Sequence, residues 1–112
     1  MNHAIAQLDE ITPTRCPCGW ARRAFATLAD APASVHLVEI KEDARVHYHR
    51  QMTEIYVLLE GEGQIELDGV SHPVRPMSAV MIQPGCRHRA LGKLRILNIP
   101  IPAFDPADEF FD

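Results

Sequence analysis

The sequence predicts an all-β sandwich or barrel, and three observations carry that prediction. From Ser34 onward the apolar residues fall into short segments of roughly period two, several rich in β-branched side chains. Glycine and proline turns separate one segment from the next. The chain has 112 residues, which is about one domain and enough for one core. Hydrophobic residues make up 46% and charged residues 23%, the balance of an ordinary soluble domain. No apolar run approaches the ~18 residues that span a bilayer, and the N-terminus does not read as a signal peptide, so no membrane partner is expected. A formal net charge of −4 argues against a nucleic-acid surface. Three cysteines make no disulfide framework, and a reducing cytoplasm is the expected location.

Residues 1–33 read as an irregular N-terminal arm, interrupted by Pro13, Pro17 and Gly19 and carrying Cys16-Pro17-Cys18. Within it Trp20 to Asp30 suits either a short helix or a strand, with the alanines slightly favouring helix. Asp30-Ala31-Pro32 then breaks the chain. Residues 34–102 form the expected barrel. Its strands are Val35 to Ile40, Val46 to His49, Glu54 to Leu59, Gln64 to Leu67, Val70 to Val74, Ala79 to Ile82, Arg87 to Leu91 and Leu94 to Ile99. Asp68-Gly69 is the strongest hairpin signal, because both residues tolerate positive φ. Residues 103–112 form an acidic, aromatic tail that either packs back or frays.

The segment Glu54 to Leu59 bears on assembly. Glu54, Tyr56 and Leu58 share one face, while Ile55, Val57 and Leu59 share the other, so the strand is apolar on both sides. The arm, the tail or a second subunit must cover the outer side, and a homodimer is the expected assembly.

The chemistry concentrates in Val46-His47-Tyr48-His49-Arg50-Gln51-Met52-Thr53-Glu54. In an extended chain residues i and i+2 point the same way, so His47 and His49 present two imidazoles on one face. A hairpin turn before Glu54 swings its carboxylate beside them. His88, just past Pro84-Gly85, lies in a later strand that can pack across from this pair. Any one of these histidines alone would be an ordinary strand residue. The set of three imidazoles and one carboxylate suits one divalent transition metal ion, with iron, manganese, nickel, zinc and copper all compatible.

These residues resemble the two motifs of the cupin superfamily. His47, His49, Glu54 and Gly61 match the first motif position for position, and Pro84-Gly85-Cys86-Arg87-His88 is similar to the second. Lys41 and Met77 stand where the motifs usually begin with glycine, and Gly92 where the second usually ends with asparagine. The resemblance implies a double-stranded β-helix, or jelly-roll, barrel around a metal held by His47, His49, Glu54 and His88.

Other residues carry weaker expectations. Tyr56 shares the face of Glu54 and either supplies a catalytic hydroxyl or is a plain core aromatic. Met52, Met77 and Met81 read as core fillers. Arg87 and Arg89 fall on the face opposite His88, towards solvent, and Arg45 lies at the mouth. Arg22-Arg23 reads as a solvated turn or a salt bridge to the tail, and His3, His36 and His72 as surface or structural residues. Cys16 and Cys18 read as incidental thiols. The leading functional expectation is a metal-dependent enzyme acting on a small molecule, of dioxygenase type or of isomerase/cyclase type. A non-catalytic sensor or carrier of a metal or small ligand is the alternative.

Overall fold

Alternation along the sequence becomes alternation across a sheet. The computed structural model describes residues 2–16, 19–41 and 44–112. Its strands are β1 (Thr14–Cys16), β2 (Gly19–Ala24), β3 (Val35–Ile40), β4 (Thr53–Glu60), β5 (Gly63–Leu67), β6 (Val70–Val74), β7 (Ala79–Ile82), β8 (His88–Leu91) and β9 (Leu94–Ile101). They form two antiparallel sheets, one ordered β1-β2-β3-β9-β4-β7 and the other β6-β5-β8. No helix among the described residues is long and apolar enough to cross a membrane.

The core lies between the sheets. Ala21, Val38, Ile40, Leu58, Leu94 and Ile96 come from the larger sheet and meet Ile65, Val74 and Ala90 of the smaller one. Each large aliphatic chain buried this way contributes about 1.5–3 kcal/mol. The β5–β6 hairpin turns at Asp68 and Gly69, with φ of 48° and 83°, as its sequence predicts. Gly61 follows β4 at φ 94°, where an added Cβ would stand 2.3 Å from the Lys93 carbonyl oxygen. Only glycine fits there.

The structure corrects three expectations. Of Trp20 to Asp30, the part up to Ala24 takes the strand alternative rather than the favoured helix, and the rest is turn: β2 pairs with β3 along its whole length, from Gly19 opposite Ile40 to Ala24 opposite Val35. Pairing with a neighbouring strand outweighs a propensity worth a few tenths of a kcal/mol. Val46 to His49 is no strand, and instead makes isolated bridges from His47 to His88 and from Tyr48 to Phe110. Met77 and Met81 are not core fillers, being 82% and 61% exposed, whereas Met52 is fully buried.

The segment before β1 packs over the outer face of β2 and β3, where Leu37 is buried near Pro13 and Trp20. The tail bridges to Tyr48 instead. Ile55 and Val57 on the outer face of β4 are half-buried, and Leu59, Met81 and Ile101 nearby are exposed.

Met77 explains its own departure from the motif pattern. Arg75-Pro76-Met77-Ser78 is a turn closed by the Ser78 N–H donating to the Arg75 carbonyl at 2.9 Å. Met77 occupies its third position at φ 76°, where glycine is the favoured residue. The left-handed conformation costs an L residue about 1–2 kcal/mol. Its exposed side chain returns little packing in exchange. Met77→Gly is therefore expected to stabilise the chain by about 0.5–1 kcal/mol, seen as a melting temperature a few degrees higher.

Candidate metal centre

Four side chains foreseen from the sequence converge. His47, His49, Glu54 and His88 each offer a ligand atom, and these atoms all lie within 4.8 Å of one another. His49, Glu54 and His88 are buried and His47 partly so. Glu54 Oε1 stands 2.8 Å from His49 Nε2 and 3.1 Å from His88 Nε2.

The backbone decides which ring nitrogen faces inward. His47 Nδ1 lies 3.1 Å from the Arg45 carbonyl, His88 Nδ1 lies 2.9 Å from that of Cys86, and His49 Nδ1 lies 2.6 Å from that of Asp108. A carbonyl only accepts, so each Nδ1 carries a proton and donates it. In the neutral rings every Nε2 then presents a lone pair to the same small volume. With its proton on Nδ1, His49 Nε2 has none to give Glu54 and is a buried nitrogen without a hydrogen-bond partner. Neutral rings facing a carboxylate at 2.8–3.1 Å repel it unless a proton or a metal ion lies between them. The donor set, three nitrogens and one oxygen, fits a divalent transition metal.

Protonation without a cation follows the same geometry. Burial, helped by the neighbouring His88, lowers the His47 pKa to about 4. Burial pushes His49 down as well, but once the ring is doubly protonated its Nε2–H donates to Glu54, and that bond and the carboxylate's charge outweigh burial and raise its pKa above the ordinary value. Burial opposes the charge on Glu54, yet His49 and His88 hold its carboxyl well below the usual range.

The supports are drawn from distant segments. His47 and His88 exchange backbone hydrogen bonds at 3.1 and 2.9 Å, which sets the second motif against the first. Asp108 of the tail accepts from the backbone N–H groups of Arg50, Gln51 and Met52 at 2.8, 3.0 and 2.9 Å. One aspartate therefore holds the turn between His49 and Glu54 and, through its carbonyl, orients the His49 ring. Arg87 lies outside the centre, as expected: Asp112 forks it at 2.9 and 3.0 Å, and it covers the Tyr48 ring at 3.6 Å. Arg89 pairs with Glu66, again outside. Gln51 is exposed. Cys86 is half-buried and Cys16 lines the cavity, while Cys18 lies outside the described residues.

A cavity of about 90 Å³ opens beside His47, His49 and Glu54. Its far wall is a rung across the larger sheet: Arg23 pairs with His36, His36 with Asn98, and Asn98 with Tyr56. All four line the cavity. Tyr56 is buried beside Glu54 with its ring edge-on to His88 at 6.3 Å. Asn98 Nδ2 donates to Glu54 Oε2 at 2.6 Å. Arg45 reaches the cavity and stacks on Phe111 at 4.3 Å. Arg23 departs from the solvated turn or tail salt bridge expected of it, and His36 is the structural rather than the surface residue of its two readings. His36 is 2% exposed, and burial, then the Arg23 charge, lowers its pKa to about 4. His3 and His72 are exposed. Reading β2 as a strand would have put Ala21 and Arg23 on one inward face. Asn98 and Asp108 carry no comparable signal.

The family model described as Cupin domain matches residues 34–99. The chain belongs to the cupin family. Among solved structures, a protein from Planctomyces limnophilus shares 46% identity, with 97% of this chain and 96% of that one covered and a TM-score of 0.91. A Streptomyces cupin-like barrel, described as a unique nucleoside dehydratase and solved with uridine, has 16% identity over 97% of this chain and 90% of that one, TM-score 0.81. Ectoine synthase from P. lautus has 19% identity over 96% and 88%, TM-score 0.79. At such identities these two establish the jelly-roll fold alone. No curated protein matches the chain.

Asp108→Ala keeps the carbonyl that orients His49 but strips three backbone N–H groups of their acceptor. We expect a loss of about 1–3 kcal/mol in chemical unfolding and metal affinity 10–100-fold weaker by titration. Unchanged values would show that the tail is a bystander.

Proposed function

We propose that this cupin is a metal-dependent enzyme acting on a small polar molecule inside its barrel, by proton transfer of the isomerase, cyclase or lyase kind. The observation that carries the reading is the convergence of three backbone-oriented Nε2 lone pairs and Glu54 beside a cavity with polar walls. His47, His49, Glu54 and His88 would hold the ion. When bound, such an ion acts as a Lewis acid that polarises a carbonyl or hydroxyl oxygen and orients the substrate.

The chain's own residues supply the rest. Glu54 is committed to His49, His88 and Asn98, which removes it as a base. Tyr56, buried on the same face, is the group we assign to give or take a proton. His36 is neutral at pH 7 and one strand pair from Asn98, so it adds a polar contact without adding charge. The dehydratase described for the Streptomyces neighbour supports elimination chemistry on this scaffold. Oxygen-dependent turnover would instead assign the dioxygenase branch.

Reconstitution with iron, manganese, nickel, copper or zinc tests the metal. The wild type is expected to bind about one ion per chain and His49→Ala essentially none, measured by elemental analysis. The sign of the pH effect follows from His49. Its raised pKa in the metal-free state means that protons compete there first, so apparent affinity falls by about tenfold per unit once pH drops below that raised value. His47, lowered to about 4, adds competition only near that pH. A flat profile from pH 7 to 5 would contradict the assignment.

Turnover separates catalysis from carriage. Metal-loaded protein screened anaerobically over hydroxy acids, keto acids and nucleosides is expected to convert a substrate without oxygen. Tyr56→Phe should then lower kcat by about 10²–10⁴ with metal content unchanged. Ligand binding without turnover under any gas phase would favour a sensor or carrier.

A further inference from the structure

Two residues that line the cavity each carry a buried polar atom without a partner, and the two atoms are of opposite kind. Arg23 Nε is a donor without an acceptor, and Asn98 Oδ1 is an acceptor without a donor. The orientation of Asn98 follows from its bond to Glu54, since only the Nδ2 end can donate to that carboxylate at 2.6 Å. Burying such groups unsatisfied costs about 1–3 kcal/mol each, so a ligand that completes both gains what the empty wall forgoes.

The surroundings define that ligand. The guanidinium of Arg23 lies over the Phe104 ring at 4.6 Å, which covers its face and leaves its N–H edge for in-plane bonds. No carboxylate among the described residues is within ion-pair distance of Arg23. An edge made of Nε–H and an adjacent Nη–H matches the two oxygens of a carboxylate. His36 separates Arg23 from Asn98 along the rung, so their Cα atoms are about 10 Å apart, two strand spacings. Buried Ser34 accepts the Phe104 N–H at 2.9 Å, and its own hydroxyl lies 2.9 Å from His36 Nε2. That arrangement holds Phe104 and His36 in place as the sides of the slot. A volume of about 90 Å³, near three water molecules' share, admits a small molecule only.

We propose that the cavity takes a small monocarboxylate that also carries a hydrogen-bond donor, its carboxylate forked by Arg23 and its donor received by Asn98 Oδ1. The proposal deepens the functional reading above and rests on the same cavity, but it does not require the metal. Arg23 is a substrate-positioning residue in this account.

Metal-free protein separates the two claims, because a carboxylate cannot then bind by chelation. The probes are lactate, its neutral amide lactamide, and propionate, which keeps the charge but lacks the hydroxyl. Binding is followed by calorimetry and by the Arg23 Nε–H resonance. Lactate is expected to bind at least tenfold more tightly than either comparison probe and to shift that resonance. Arg23→Gln should weaken lactate at least tenfold, and Arg23→Lys, which keeps the charge without the fork, should recover part of the loss. Equal binding of lactate and lactamide, an unmoved Nε–H resonance, or an unaffected and folded Arg23→Gln variant would each overturn the proposal. So would the lack of saturable lactate binding. A zinc titration of the same wild-type sample reports separately: failure to bind zinc with lactate recognition intact would remove the metal reading alone.

Discussion

Three backbone carbonyls decide what this barrel can hold. Those of Arg45, Cys86 and Asp108 each take the Nδ1 proton of one histidine, and so turn the opposite nitrogen of each ring towards Glu54. Were the rings free to choose tautomers, one could donate to the carboxylate and the four groups would settle as a neutral network. Held as they are, they form a set of acceptors that suits a cation. Each carbonyl comes from a different place: the stretch just before His47, the turn just before His88, and the tail. Packing of three separate segments is therefore written into the ligand atoms.

The larger sheet divides its inner face along its length. Val38, Ile40, Leu94, Ile96 and Leu58 line one end and supply the burial that holds the sheets together. Arg23, His36, Asn98 and Tyr56 form one polar rung next to it, and Glu54 lies beyond. Polar groups in such a place oppose folding unless partnered. Ser34 and Phe104 partner His36, and Glu54 partners Asn98, while Arg23 Nε and Asn98 Oδ1 stay open. The apolar end supports a wall whose incomplete bonding is available to a ligand.

Much of this was legible in the chain, for a local reason. His47 and His49 were readable as a pair because any locally extended chain has period two, even one that makes only isolated bridges, and Asp68-Gly69 and Gly61 mark turns because of their φ requirements. The missed residues depend on pairings that local pattern does not encode. Arg23 faces inward because β2 takes its register from β3, where alanine content alone suggested helix. Asn98 meets Glu54 only because β9 inserts between β3 and β4. Asp108 reaches His49 across a sequence separation of 59 residues. Met77 shows the converse: the motif position was visible, but its exposure and positive φ were not.

The central claim concerns tautomers, and nitrogen NMR of the imidazoles observes them directly. Long-range proton–nitrogen spectra of the zinc-loaded protein are predicted to show His47, His49 and His88 all protonated on Nδ1, with zinc-shifted Nε2 resonances. A proton on Nε2 of any of the three, or an Nε2 signal unmoved by zinc, would contradict the account.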